Sequence, residues 1–164
     1  MPEPMQNGAF PAPSHDHDRC VRQAVAHAEQ VCADRDLRLT PIRRRVLELI
    51  WTNHQPSKAY DLLEAIRGEP FSTAPPTVYR ALDFLLDAGL IHRIESLNAY
   101  VGCDARHVAG SPMFLICRGC DRVAELPGTG VGKAIGRAAK RAGFAVDQET
   151  VEISGLCGGC ADDA

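Results

Sequence analysis

The sequence has no run approaching the ~18 consecutive apolar residues of a membrane span, so no transmembrane helix is expected. Its opening MPEPMQNGAFPAPSHDHD lacks the basic-then-apolar order of a secretory signal and reads as a Pro-rich disordered arm, residues 1–18. Internal repeats are missing, although CRGC and CGGC are similar short turns. Neither sign of charge dominates, and the net charge is −3. These absences point to a cytoplasmic, reducing location. There, seven cysteines are metal ligands sooner than disulfides.

What is present is globular. A chain of 164 residues, 45% hydrophobic and 24% charged, holds one medium domain or two small ones. From Arg35 to Arg93 there are nine Lys/Arg against seven Asp/Glu, and elsewhere nine against fourteen. A basic segment joined to an acidic remainder suggests a nucleic-acid-binding domain with a second domain attached.

Residues 20–35 place Val21, Val25, Ala28 and Cys32 at helical spacing. A second helix starts at Thr40 as N-cap with Pro41 at its first position, and carries Val46, Leu47 and Ile50. A third opens at Ser57, runs through Tyr60, Leu62, Leu63 and Ile66, and stops at Gly68. The fourth, TVYRALDFLLDAGL, begins after Pro75-Pro76 and ends at Gly89, with Val78, Leu82, Leu85 and Leu86 in one stripe. IHRIESLNAYV reads as two short strands around Leu97-Asn98. Helices followed by a small hairpin describe a winged helix-turn-helix over residues 19–101.

Residues 102–112 are polar and punctuated by Gly and Pro, as a linker would be. Beyond them, MFLIC and RVAEL read as strands, VGKAIGRAAKRAG as a helix, and FAVDQETVEISGL as one or two more strands. Residues 113–164 form a small α/β domain on this reading, and the whole chain is α+β.

CRGC at 117–120 is answered by CGGC at 157–160. Paired Cys-x-x-Cys turns that end or interrupt strands match a closed tetrahedral zinc site of Cys117, Cys120, Cys157 and Cys160. Gly119, Gly158 and Gly159 suit turns whose backbone N–H groups face sulfur, while Arg118 and Arg122 can offset thiolate charge. A thiol oxidoreductase, the alternative from another class, places a single such pair at a helix start, where the dipole lowers one thiol pKa.

His92 in the wing, Cys103 and His107 in the linker, and Glu125 after Cys120 form a looser set of zinc-type ligands. The competing reading is a surface His, a small buried Cys and two solvated polar groups. On the helix over 75–88, the face opposite the apolar stripe carries Thr77, Arg80 and Asp83, with Tyr79 on its flank. An Arg near the start of a second helix reaches a guanine edge or a phosphate in the major groove, and Tyr60 and Tyr79 suit sugar-phosphate or thymine methyls. A solvated helix face is the alternative. The Arg43–Arg45 run reads as solvated, with phosphate contact as its alternative. His15 and His17 fall in the arm and read as incidental, and no partner suggests itself for Cys20, His27 or Cys32.

RLTPIRRRVLELI, PPTVYRALDFLLDAGLIHRIES, FLICRGCDRVAEL and the terminal GLCGGC resemble the ferric uptake regulator superfamily, most of all its zinc uptake regulator branch. The resemblance covers roughly residues 20 to 160. It implies a winged-helix DNA-binding domain, a dimerisation domain, and dimeric repression of zinc-acquisition operons on operator DNA when metal is bound. It implies two zinc ions per chain, one structural on the four paired cysteines and one regulatory. It places His92, Cys103 and Glu125 in the regulatory site, while Tyr60, Thr77, Tyr79 and Arg80 are taken as DNA-facing from the helix-face reading above.

The family has a histidine nearer the first structural cysteine, yet residues 108–116 contain none and the linker is slightly short. His107 is taken as fourth ligand, with Asp104 or water as substitutes. The His-rich tail of some relatives is absent. No small-molecule substrate and no enzyme activity are expected. A thiolate at Cys103 favours zinc over the nitrogen and oxygen sites of iron or peroxide sensors, the alternatives within the superfamily.

Overall fold

A computed structural model of the chain describes residues 9–10, 16–52, 55–70, 74–103 and 111–162. It divides into two compact units, Ala12–Cys103 and a second that contains Asp104–Ala164. Among the described residues, no helix is long and apolar enough to cross a membrane.

The first unit begins with α1 (His17–Asp34), where Asp16 accepts from the Arg19 backbone N–H at 3.0 Å. A carboxylate at that position satisfies a donor the helix cannot pair internally. The helix therefore starts inside the segment expected to be a disordered arm, and residues 1–8 and 11–15 of that arm lie outside the described residues. Val25, Ala28 and Cys32 form its buried stripe, so Cys32 is a core residue.

α2 (Pro41–Trp51) takes Pro41 at its first position, where a missing N–H costs nothing. Thr40 occupies the cap position without a side-chain cap bond. α3 (Ala59–Ile66) starts later than expected, because Ser57 is used elsewhere: it exchanges two 2.9 Å backbone hydrogen bonds with Tyr100. Gly68, at φ +86°, turns the chain away after α3. α4 (Pro75–Asp87) includes both prolines, since its first two residues need no N–H partner inside the helix. Val78, Ala81, Leu82 and Leu85 are buried, and Leu86 packs at the edge of the same cluster.

The hairpin joins β1 (Ile91–Ile94) to β2 (Ala99–Gly102) through a 3₁₀ turn and Asn98 in the left-handed region. The strands are antiparallel with Ile91 opposite Gly102, so β2 runs one residue into the expected linker. α2 lies at the centre, packed on α1, α3, α4 and β2. Leu47, Ile50, Ile66, Leu82, Leu85 and Ile91 are all but completely buried around it. Each such side chain contributes about 1.5–3 kcal/mol of transfer free energy. Trp51, at the end of α2, lies over Gly102, where an added Cβ would clash with the indole ring.

The second unit is a three-stranded sheet of order β4–β3–β5. β3 (Pro112–Cys117) pairs antiparallel with β4 (Val123–Pro127) and parallel with β5 (Val151–Gly155). α5 (Thr129–Arg141) carries the crossover, and a short α6 (Gly158–Ala161) ends the unit. FAVDQETVEISGL yields one strand, since Phe144–Thr150 runs without regular structure after Gly143 at φ +71°. Phe114, Ile116 and Ala124 are buried, whereas α5 buries no residue at all.

Candidate metal centres and nucleic-acid interface

The β3–β4 turn is shaped by Asp121, at φ +57°, whose N–H donates to the Cys117 carbonyl at 2.9 Å. Cys117 N in turn donates to Arg122 O at 3.0 Å, so the turn closes on itself. Its other tie is to β5, through Arg118 N donating to Gly155 O at 2.8 Å. That bond carries the chain from β5 into the second Cys-x-x-Cys beside the first. All four sulfurs, of Cys117, Cys120, Cys157 and Cys160, lie within 4.8 Å of one another. A Cβ on Gly119 would come within 2.9 Å of Cys160, so the close approach of the two turns requires glycine there.

Geometry and charge both fit zinc. Cys120 and Cys157 sulfurs are 3.8 Å apart, the edge of a tetrahedron whose metal–sulfur bonds are about 2.3 Å. Backbone N–H groups face the sulfurs, led by Cys157 N donating to Cys117 Sγ at 3.3 Å, and they hold the Cys117 thiol down at about 6. Arg122 lowers the Cys120 thiol by donating through Nε at 3.2 Å. Crowding by the Cys157 and Cys117 sulfurs, together with burial, pushes Cys160 up to about 12. Four sulfurs cannot all ionise side by side unless a cation joins them, and a divalent ion supplies that charge.

The looser ligands fall as follows. His92 is on β1, and Cys103 follows β2 with its N–H donating to Leu90 O at 3.1 Å. The antiparallel register brings these two together, with a His92 ring nitrogen and the Cys103 sulfur within 4.8 Å. Both are half-buried. Glu125 is on β4 of the second unit, half-buried, in register with Phe114. His107 and its substitute Asp104 lie outside the described residues.

On the candidate DNA face, Arg80, Tyr79 and Tyr60 are exposed, Tyr60 at 68%. Among the described residues the Arg80 side chain takes part in no hydrogen bond or ion pair. Thr77 is half-buried: one turn from Ala81 and adjacent to Val78, it sits on the flank of α4, not opposite its stripe. Tyr60 and Tyr79 also line a pocket with Lys58, Leu97 and Asn98, joining α3 and α4 to the tip of the wing. Leu97 and Asn98 were legible only as a turn and Lys58 not at all, because only the fold brings the hairpin tip to the helix.

Each arginine of the Arg43–Arg45 run has a partner within the chain. The Arg43 guanidinium lies 3.6 Å from the Phe84 ring centroid and donates to Arg38 O at 2.6 Å. Arg44 pairs with Glu29. Arg45 reaches Glu69 through Nε and NH2 at 2.8–3.1 Å, tying α2 to the segment after α3.

The ferric uptake regulator family model matches residues 34–154. The zinc uptake regulation protein of Escherichia coli (strain K12) is 40% identical over 146 residues, covering 87% of this chain and 84% of that protein. A zinc uptake regulator solved in complex with zinc and DNA superposes with a TM-score of 0.79 at 40% identity, over 87% of this chain and 96% of that one. Holo XcZur gives 0.76 at 44% identity, over 85% and 98%. On the extent of the family match and the identity to these proteins, the chain belongs to the ferric uptake regulator family.

Proposed function

We propose that the chain is a zinc-responsive transcriptional repressor that binds operator DNA as a homodimer and controls zinc-acquisition genes. The observation that carries this reading is that one compact unit presents two things at once. It has a helix with an exposed Arg80–Tyr79 face and, on its own wing, a His92–Cys103 pair close enough to share a metal. Likeness to a zinc uptake regulator solved with zinc and DNA supports the same conclusion.

The four paired cysteines are the structural zinc ligands, and the ion contributes cohesion to a unit with a small core. The regulatory ligands are His92 and Cys103 from the DNA-binding unit and Glu125 from the other. His107 is the fourth, or Asp104 or water in its place. A dimer on DNA needs its two recognition helices about 34 Å apart, and bound zinc favours the form that presents them so. Moving the dimer from 1:99 to 99:1 in favour of that form takes a zinc preference of about 5.5 kcal/mol for it. The thiolate of Cys103 selects zinc over iron or manganese.

The dimer face is in the second unit, where Val131, Phe144, Val146, Ile153 and Leu156 are exposed and β5 is an edge strand. Lone apolar residues on a surface are ordinary, but five on one small unit call for a cover. No covalent chemistry is required. A protein that acts on operator DNA acts in the compartment that holds that DNA.

The test is zinc stoichiometry beside a zinc-titrated operator shift for Cys103→Ser. The variant should stay a folded dimer with its Cys₄ zinc, lose the second zinc, and need far more zinc to bind DNA. A variant that loses one zinc yet binds operator as the parent does would sink the sensing role of this site.

A further inference from the structure

We propose that Arg122 is a positioning residue for the Cys₄ centre, one that holds the two Cys-x-x-Cys turns together and shields their sulfurs from electrophiles. The inference rests on reading these cysteines as zinc ligands. Arg122 Nε donates to Cys120 Sγ at 3.2 Å, and its NH2 donates to Cys157 Sγ at 3.8 Å. One fork therefore spans a sulfur of the first turn and a sulfur of the second. Sulfurs from separate turns are the pair whose separation a metal-free unit is least able to maintain.

The placement is specific. Asp121 in the left-handed region turns the chain so that Arg122, two residues after Cys120, folds back under the sulfurs and is half-buried there. Arg118, inside the same turn, has an exposed side chain and meets the sheet through its backbone N–H.

Four thiolates around a divalent ion leave a net charge of −2 by formal count, concentrated on sulfur. A planar cation with two N–H groups aimed at two sulfurs draws on the lone pairs that an electrophile would otherwise take. Charge-assisted hydrogen bonds are about twice as strong as neutral ones, and this pair must be broken before either sulfur reacts. Lysine keeps the charge but offers no fork, so it supplies only part of the effect.

The experiment measures zinc release from the full-length dimer with a chromogenic chelator, with and without N-ethylmaleimide. In the reaction a sulfur lone pair adds across the maleimide double bond, the neighbouring carbon takes a proton from water, and the zinc–sulfur bond breaks. Cys103→Ser is the background, so that only structural zinc is counted.

Arg122→Gln should retain its zinc in the absence of reagent but release it on the order of tenfold faster with maleimide, the loss of about one charge-assisted bond. Arg122→Lys should fall between, and Arg118→Gln should match the parent. Equal rates for Arg122→Gln and the parent would overturn the proposal. So would acceleration of the same size in Arg118→Gln, since a diffuse charge effect would then explain everything. If Arg122→Gln fails to fold, Arg122→Lys against Arg118→Gln decides alone, and equal rates in those two overturn it. A parent protein that holds no zinc on these cysteines would instead defeat the reading of the Cys₄ site itself.

Discussion

Replacing Arg80 with Ala separates DNA reading from every other property of the chain. Arg80 is exposed on α4, away from the buried Val78, Ala81, Leu82 and Leu85. Truncating it creates no cavity and strands no partner, so stability should move by no more than about 0.5 kcal/mol. Zinc content and dimer mass should be those of the parent. Binding is another matter. A bidentate bond to guanine is worth about 1–3 kcal/mol of discrimination, and a symmetric dimer makes it twice. The loss is then about 2–6 kcal/mol, roughly 30-fold to 10⁴-fold in affinity for the operator. Binding to unrelated duplex should change far less.

The assay is fluorescence anisotropy at saturating zinc with operator and scrambled duplexes, each titrated over several salt concentrations. If Arg80 touches phosphate, both duplexes weaken together, and the salt slope falls by about 1 for each phosphate left unneutralised. An Arg80→Ala protein that still separates operator from scrambled DNA as the parent does would refute the assignment of α4's reading face.

Three further outcomes can be checked. Arg45→Ala should lower thermal stability by about 1 kcal/mol, because it removes a two-bond pair to Glu69 between half-buried groups. Thermal melts test this, and an unchanged midpoint would return the run to a surface role. Cys157→Ser should lose the structural zinc and unfold or monomerise the second unit, seen by metal analysis and light scattering. Ile153→Asp, on an exposed edge-strand residue, should leave the first unit's melting intact while shifting the dimer toward monomer in sedimentation.

The sequence by itself determined the main elements and the pairing of the four cysteines. Helical spacing of Val46, Leu47 and Ile50 or of Val78, Leu82 and Leu85 can bury a stripe only as a helix, and the structure buries those residues. Two Cys-x-x-Cys turns carry their chemistry in local spacing, so they were legible across the residues between them. Local boundaries were read less well. Asp16 extends α1 through a cap bond, and Ser57 leaves α3 to pair with Tyr100, because a non-local strand partner outcompetes a modest cap preference.

What only the tertiary structure decided was the use of side chains that sequence leaves ambiguous. Arg43, Arg44 and Arg45 look alike on paper, yet Phe84, Glu29 and Glu69 engage them one by one. Arg118 and Arg122 carry the same charge beside the same cysteines, and only one folds under the sulfurs. His92 and Cys103 are eleven positions apart in sequence, and they meet because antiparallel pairing folds β2 back beside β1. Short-range periodicity fixes which residues are buried. Which cation meets which anion depends on how elements far apart in sequence are brought together, and that information is held in the packed core.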